Sequence, residues 1–181
     1  MKKAIIFSFM LVLALGLFSC NGKKSKGAGK FLSTTEDTTK ESTEETTSQE
    51  VPEKVLGYVD LGLPSGTLWK ETNESGFYTW DEAISYFGDE LPTKEQFEEL
   101  KNECKWTWTG SGYQVTGPSG DYITLPAAGF RYDGDYVQDY GFYWSATEYG
   151  SSRAYHLYFV LNDACIVEDP RAFGQSVRLV Q

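Results

Sequence analysis

The chain's reactive side chains are few, and the first of them, Cys20, closes the run Leu17-Phe18-Ser19-Cys20. Lys2 and Lys3 form a basic start, Ala4 to Phe18 an apolar stretch, and small Ser19 leaves room for a peptidase at the bond before Cys20. The spacing predicts a lipoprotein signal over residues 1–19 and acylation of Cys20; the other reading is a plain secretory signal with an incidental cysteine. The apolar stretch is short for a bilayer span. Acyl chains contribute about 0.8 kcal/mol per buried methylene, so a multiply acylated Cys20 is a stable anchor, expected in the outer membrane.

The remaining chemistry is thin. One histidine, His156, and two later cysteines, Cys104 and Cys165, make no zinc constellation of the usual kind. The two thiols either pair as a structural disulfide, which an oxidising envelope permits, or stay separate. Asp133-Gly134-Asp135 with Asp139 forms an acidic loop that lacks the oxygen ladder calcium requires. No nucleophile, base and orienting group fall together, so neither an enzyme nor a cofactor or metal is expected.

These residues sit in two regions of different character. Residues 20–54 carry Lys23, Lys24, Lys26 and Lys30 and then a Thr/Ser/Glu tract, a composition that cannot bury enough apolar surface to fold and predicts a disordered tether. Asp37-Thr38-Thr39 resembles the O-glycosylation signal of Bacteroidetes, which makes Thr38 a candidate acceptor. Residues 55–181 hold 19 Asp+Glu against 8 Lys+Arg. That balance disfavours nucleic acid, whose affinity rests on neutralised phosphates. The length suffices for one domain with a core.

Within the domain, Thr79-Trp80-Asp81-Glu82 and Thr93-Lys94-Glu95-Gln96 are capping boxes that open two short helices. The second carries Phe97, Leu100 and Cys104 on one face. Strands are expected at Trp106 to Thr109, Tyr113 to Thr116, Tyr122 to Leu125, Phe142 to Thr147, Ala154 to Leu161 and Ser176 to Val180, between glycine-rich turns. The order predicts an α+β fold with a mostly antiparallel, twisted sheet.

Val59-Asp60-Leu61-Gly62-Leu63-Pro64-Ser65-Gly66-Thr67-Leu68-Trp69, Leu91-Pro92-Thr93, Leu125-Pro126-Ala127-Ala128-Gly129, Tyr143-Trp144-Ser145-Ala146-Thr147 and Ser176-Val177-Arg178-Leu179-Val180 together resemble the Fibrobacter succinogenes major paralogous domain, abundant in Bacteroidetes lipoproteins. The resemblance implies a C-type lectin-like fold in the variant shared with formylglycine-generating enzymes. It departs between Trp69 and Leu91, where the segment is short and Glu90 replaces the family's usual arginine. The reactive cysteine pair of those enzymes is not matched by Cys104 and Cys165. Leu161-Asn162-Asp163 is similar to the Trp-Asn-Asp strand of calcium-dependent lectins, but the partner carboxylate loop is missing, and Glu168-Asp169-Pro170 comes after it. From Tyr149 to Gly174 the chain resembles the variable region of retroelement-diversified lectin-fold proteins, although an irregular loop would look the same.

The strand after Arg153 points Tyr155, Leu157, Phe159 and Leu161 inward and Ala154, His156, Tyr158 and Val160 the other way. That second face, with the loop from Asn162 to Phe173, is the surface the resemblance assigns to ligand. The expected contacts are Tyr149, His156, Tyr158, Val160, Asn162, Asp163, Val167, Asp169, Arg171 and Phe173; for His156 an ordinary surface role is the alternative. The function expected is an outer-membrane lipoprotein presenting a non-catalytic lectin-like domain to a glycan or protein, at the cell surface or on the periplasmic side. The alternatives are a structural or accessory envelope lipoprotein without a small ligand, and a retroelement-diversified binding protein.

Overall fold

A computed structural model describes residues 56–181. The signal over 1–19, the tether over 20–54, Cys20 and Thr38 lie outside the described residues. Two short strands, β1 (Tyr58–Asp60) and β2 (Leu68–Lys70), pair antiparallel before helices α1 (Trp80–Phe87) and α2 (Lys94–Glu103), which are joined through a 3-10 turn at Gly88–Glu90. A meander of β3 (Lys105–Trp108), β4 (Gly112–Thr116) and β5 (Tyr122–Pro126) follows. Next come a hairpin of β6 (Phe130–Tyr132) and β7 (Asp135–Val137) and a sheet of β8 (Gly141–Tyr149), β9 (Arg153–Val160) and β10 (Asp163–Pro170), with β9 central. All these strand pairs are antiparallel, and the fold class is α+β.

Both helices begin where their caps require. Thr79 and Thr93 accept from the backbone N–H of Glu82 and Gln96, whose side chains reach back to the cap N–H groups. Each box satisfies donors that no helical carbonyl can reach. Phe97 and Leu100 of α2 then enter the main core with Trp69, Val115, Leu125, Tyr143, Leu157 and Phe159. A second cluster gathers Trp80 and Ala83 of α1 with Leu91, Trp144, Ala154, Val177 and Leu179. The β8–β9–β10 sheet lies between them, Leu157 and Phe159 facing one cluster and Ala154 the other.

The segment Tyr143-Trp144-Ser145-Ala146-Thr147 earns its place through a break in register between Trp144 and Glu148. The bulge turns Ser145 O toward Trp80, whose Nε1 donates to it at 2.8 Å, and lets Ala146 N donate to Pro92 O at 2.8 Å. Thr147 Oγ1 accepts from Lys94 N at 2.9 Å. One bulge thus ties the sheet to both helices.

Three expectations are corrected. Ser176 to Val180 is not a strand: Ser176 bridges Tyr143 in the parallel sense and Val180 bridges Trp69 antiparallel, so the segment passes between two elements without a ladder of its own. Arg178 fills the gap and is 1% exposed. Its Nε donates to Asn73 Oδ1 (2.9 Å), and its terminal nitrogens donate to Lys70 O (2.7 Å) and Thr124 O (2.6 Å). Residues 163–170, expected as loop, form β10, in register with β9 from Asp163↔Val160 to Pro170↔Arg153. Cys104 and Cys165 are not joined by a disulfide: Cys104 caps α2 at its C-terminal end, and Cys165 lies on the β10 face away from the main core.

Candidate functional site

The face of β9 expected to meet ligand divides in two. At one end Ala154 and His156 are buried: Ala154 clusters with Trp80 of α1, Trp144 of β8 and Val177 of the C-terminal segment, and His156 lies against rings of β8. His156 is 1% exposed, stacked on Phe142 at 5.5 Å and edge-on to Trp144. It is no surface contact. Asp169 is buried beside it, and Arg171 is spent on structure: its guanidinium lies 4.0 Å over the Trp80 ring, reaches Glu148 at 3.3 Å and Asp81 at 3.9 Å, and donates to Gly150 O.

At the other end the face stays accessible. Tyr158, Val160 and Asp163 are half-buried, as is Val167, which pairs with His156, and Asn162 is exposed in the two-residue turn to β10 with φ 70°. Tyr149 is 47% exposed but belongs elsewhere, against Tyr155 near the β8–β9 turn. Phe173 joins Tyr158 through a path the sequence did not suggest. The rings run Tyr132–Phe173 (4.7 Å), Phe173–Phe130 (5.3 Å), Phe130–Phe142 (4.7 Å), Phe142–Tyr158 (5.2 Å) and Tyr158–Tyr140 (6.2 Å). Such contacts add to the burial of each ring.

This aromatic band ends at a cleft of about 220 Å³ between the β6–β7 hairpin and the start of α1. Arg131, Tyr132, Asp133 and Gly134 form one wall, Phe77, Thr79 and Glu82 the other, and Ala172 with Gly174 the floor. The hairpin turns on Asp133 and Gly134, both at positive φ (49° and 85°), the backbone that a two-residue type I′ turn demands. Its base is fixed by exchange of backbone bonds between Arg131 and Gly174, both 2.8 Å. Arg131 is held over the Phe77 ring at 5.3 Å and the Tyr136 ring at 5.6 Å. Glu82, its carboxylate committed to Thr79 N and Oγ1 at 2.9 Å, titrates below the usual range. Tyr132 and Tyr136 remain 42% and 45% exposed.

Burial shifts several titratable groups among the described residues. Burial pushes the Cys104 thiol up to about 11, so it is protonated at neutral pH and a poor nucleophile. Burial, aided by the Arg153 charge, takes His156 down to about 3. Burial likewise raises Asp169 to about 6, against the pull of Arg153 and of Gln175, whose Nε2 donates to Asp169 Oδ2 at 2.9 Å. His156 Nε2 stands 3.5 Å from the same oxygen without the alignment of a hydrogen bond. Among the described residues no group of three or more His, Cys, Asp or Glu side chains is placed to hold a metal, and no helix is long and apolar enough to cross a membrane.

In the sequence the oxygens of Asp133-Gly134-Asp135 read as an acidic loop, which hides the cleft. The same dipeptide between Phe130-Arg131-Tyr132 and Tyr136-Val137 is a hairpin signal. Residues 101–180, from the last turn of α2 to the C-terminal segment, are similar to a family described as a domain of unknown function (DUF8237). No curated protein and no solved structure matches the chain.

Proposed function

We propose that the chain is an outer-membrane lipoprotein, anchored through Cys20, whose folded part is a non-catalytic binding module of the C-type lectin-like type that takes a glycan in the β6–β7 cleft. The observation that carries this reading is the cleft itself, in which exposed rings and fixed polar groups converge at the end of a continuous aromatic band. Sugar rings present an apolar face and a polar edge. Tyr132 supplies a flat surface for the first, while Arg131, Thr79 and the backbone of Gly134 offer donors and acceptors for hydroxyls. The volume suits one or two rings of a longer chain, since drug-sized pockets begin at about 300 Å³.

Burial argues against retroelement diversification of this copy. Ala154, His156, Leu157, Phe159, Cys165 and Asp169 all lie in the interior of the segment that would be randomised, where most changes of size destabilise. A fixed ligand fits better. Isothermal titration of the chain with neutral oligosaccharides, chosen from a glycan array, tests the reading. Saturable binding should appear and fall at least tenfold in Tyr132→Ala and Arg131→Ala, with Tyr149→Ala unaffected. Absence of any saturable glycan would leave the structural lipoprotein as the better account. Release of the chain from membranes by Cys20→Ser tests the anchor separately.

A further inference from the structure

Four polar atoms with no hydrogen-bond partner among the described residues belong to three side chains around Asp169: Nδ1 and Nε2 of His156, Nε of Arg153 and Oε1 of Gln175. In a folded interior such groups are paired as a rule, so their concentration here asks for a cause. Gln175 is the informative one. Its Nε2 donates to Asp169 Oδ2 at 2.9 Å, yet its own oxygen accepts nothing. An ionised carboxylate can only accept. A protonated one can also donate, and a carboxylic acid facing a primary amide forms two opposed hydrogen bonds, N–H to carbonyl and O–H to amide oxygen.

The position of Gln175 gives this pairing leverage. Its backbone exchanges hydrogen bonds with Tyr78 (N to Tyr78 O, 2.9 Å; Tyr78 N to its O, 3.0 Å), and the preceding Gly174 exchanges two with Arg131. The stretch from Arg171 to Gln175 therefore hangs between α1 and the β6–β7 hairpin and supplies the cleft floor. Gln175 to Asp169 fastens the end of this stretch to the sheet, as Arg171, donating to Arg153 O at 3.2 Å, does at its start.

We propose that Asp169 and Gln175, with His156 as a second acceptor, form a proton-operated latch on residues 171–175. With the carboxyl ionised, one hydrogen bond joins the Gln175 side chain to Asp169, beside the backbone and Arg171 bonds that hold the segment at either pH. When Asp169 takes a proton from solvent, its O–H is donated to Gln175 Oε1 or to His156 Nε2, a second bond closes, and the cleft floor is held more firmly. The surroundings favour the neutral form. Burial is the dominant influence on Asp169, and it raises the carboxyl to about 6. From β9 the carboxyl is faced by the Arg153 cation and by His156, neutral down to about pH 3; from its own strand by Glu168. β8 brings to His156 only the uncharged rings of Phe142 and Trp144, and Arg171 is turned outward to Glu148 and Asp81. Tighter ligand binding below pH 6 would follow, a consequence that rests on the cleft being the binding site; the latch itself does not.

Hydrogen exchange of the full chain, followed by mass spectrometry at pH 5.0 and 7.5 and corrected for intrinsic rates, reads the latch without any ligand. Peptides covering residues 171–176 should lose protection on going to pH 7.5, by no more than about tenfold, the limit that a carboxyl moved from 3.8 to about 6 sets between those two pH values. Peptides from α2 should not follow them. Asp169→Asn, which keeps a neutral donor in place, should exchange alike at both pH values. Equal protection of 171–176 in the wild-type chain at the two pH values would overturn the latch, as would a pH dependence that persists in Asp169→Asn. A variant that fails to fold leaves the wild-type comparison decisive by itself. Loss of glycan binding in no cleft variant, with the pH-dependent protection intact, would reject the cleft and keep the latch.

Discussion

Replacing His156 by Phe should make the domain lose stability, relative to the wild-type trend, on going from pH 4 to pH 6. The two buried titratable groups beneath the aromatic band pull in opposite directions. His156 ionises at about 3 in the folded chain against 6.5 for the free side chain, because burial penalises its cation. Between those values the unfolded chain binds the proton and the folded chain does not. Stability from this group is therefore complete above pH 6.5 and is lost as pH falls towards 3. The shift of 6.5 − 3 = 3.5 units sets the loss at about 5 kcal/mol, at 1.36 kcal/mol per unit. Asp169 behaves oppositely. Its carboxyl protonates at about 6 when folded against 3.8 when free, so the folded chain holds the extra proton between those values, and stability is lost as pH rises. The shift of 6 − 3.8 = 2.2 units amounts to about 3 kcal/mol.

In the wild-type chain the two slopes cancel between about pH 4 and 6, leaving the background of the surface carboxylates. His156→Phe removes one of them. The flat ring keeps its place on Phe142, and any packing cost is independent of pH and drops out of the slope. The variant should then lose about 3 kcal/mol relative to wild type's trend on going from pH 4 to 6, whereas Asp169→Asn, which removes the opposing slope, should gain about 2–3 kcal/mol relative to that trend over the same range. Urea unfolding at constant ionic strength, followed by fluorescence of buried Trp69 and Trp144, measures each slope. Parallel pH profiles for wild type and His156→Phe would refute the argument, since they would mean that the histidine is solvated or paired.

Arg178→Met should cost about 3–5 kcal/mol in the same assay, because Asn73 Oδ1, Lys70 O and Thr124 O lose their donor inside the core; a loss under 1 kcal/mol would show that these acceptors reach water. Gly129→Ala should collapse the cleft, since a Cβ there would stand 1.7 Å from Val137 O and the residue has φ 79°. Tyr132 and Tyr136 should then shift in an NMR spectrum while α2 signals stay, and an unchanged hairpin would contradict the close approach.

Local chemistry is what the sequence made readable. Both helices were visible in their capping boxes, since the bonds from Glu82 and Gln96 back to Thr79 and Thr93 span three residues and depend on nothing distant. Trp106 and Trp108 share a face by strand period and both pack on Tyr113. Leu157 and Phe159 follow the period of β9 into the main core, but Leu161, expected inward with them, lies beyond the strand and is 55% exposed, and period reports two faces and not what covers them. His156 is buried because Phe142 and Trp144 of the neighbouring strand β8 pack their rings against it, contacts that its own strand does not encode. β10 escaped notice for a related reason. With Ala164 and Ile166 against the main core and Cys165 and Asp169 buried on the other side, a strand enclosed on both faces shows no alternation of apolar and polar residues. The β6–β7 hairpin was missed through the wrong question, asked of carboxylates and not of φ.

The segment from Gln175 to Val180 draws these points together. It carries no regular structure, yet its residues are buried throughout, which obliges each backbone group to find a partner at long range. They do so in several directions: Glu74 N donates to Val177 O, Lys70 N to Leu179 O and Val180 N to Glu90 O, while Trp144 N donates to Ser176 O. β2, the stretch before α1, the 3-10 turn and the central sheet are all bound to one strand of chain, and buried Gln175, Ser176 and Arg178 are polar because those neighbours present carbonyls and amides, not apolar faces. The cleft depends on the same segment, whose first residues form its floor. A binding site made of loops needs a rigid support to hold its geometry. Here that support is an irregular chain held by buried hydrogen bonds, and Asp169 makes one of those bonds sensitive to the proton.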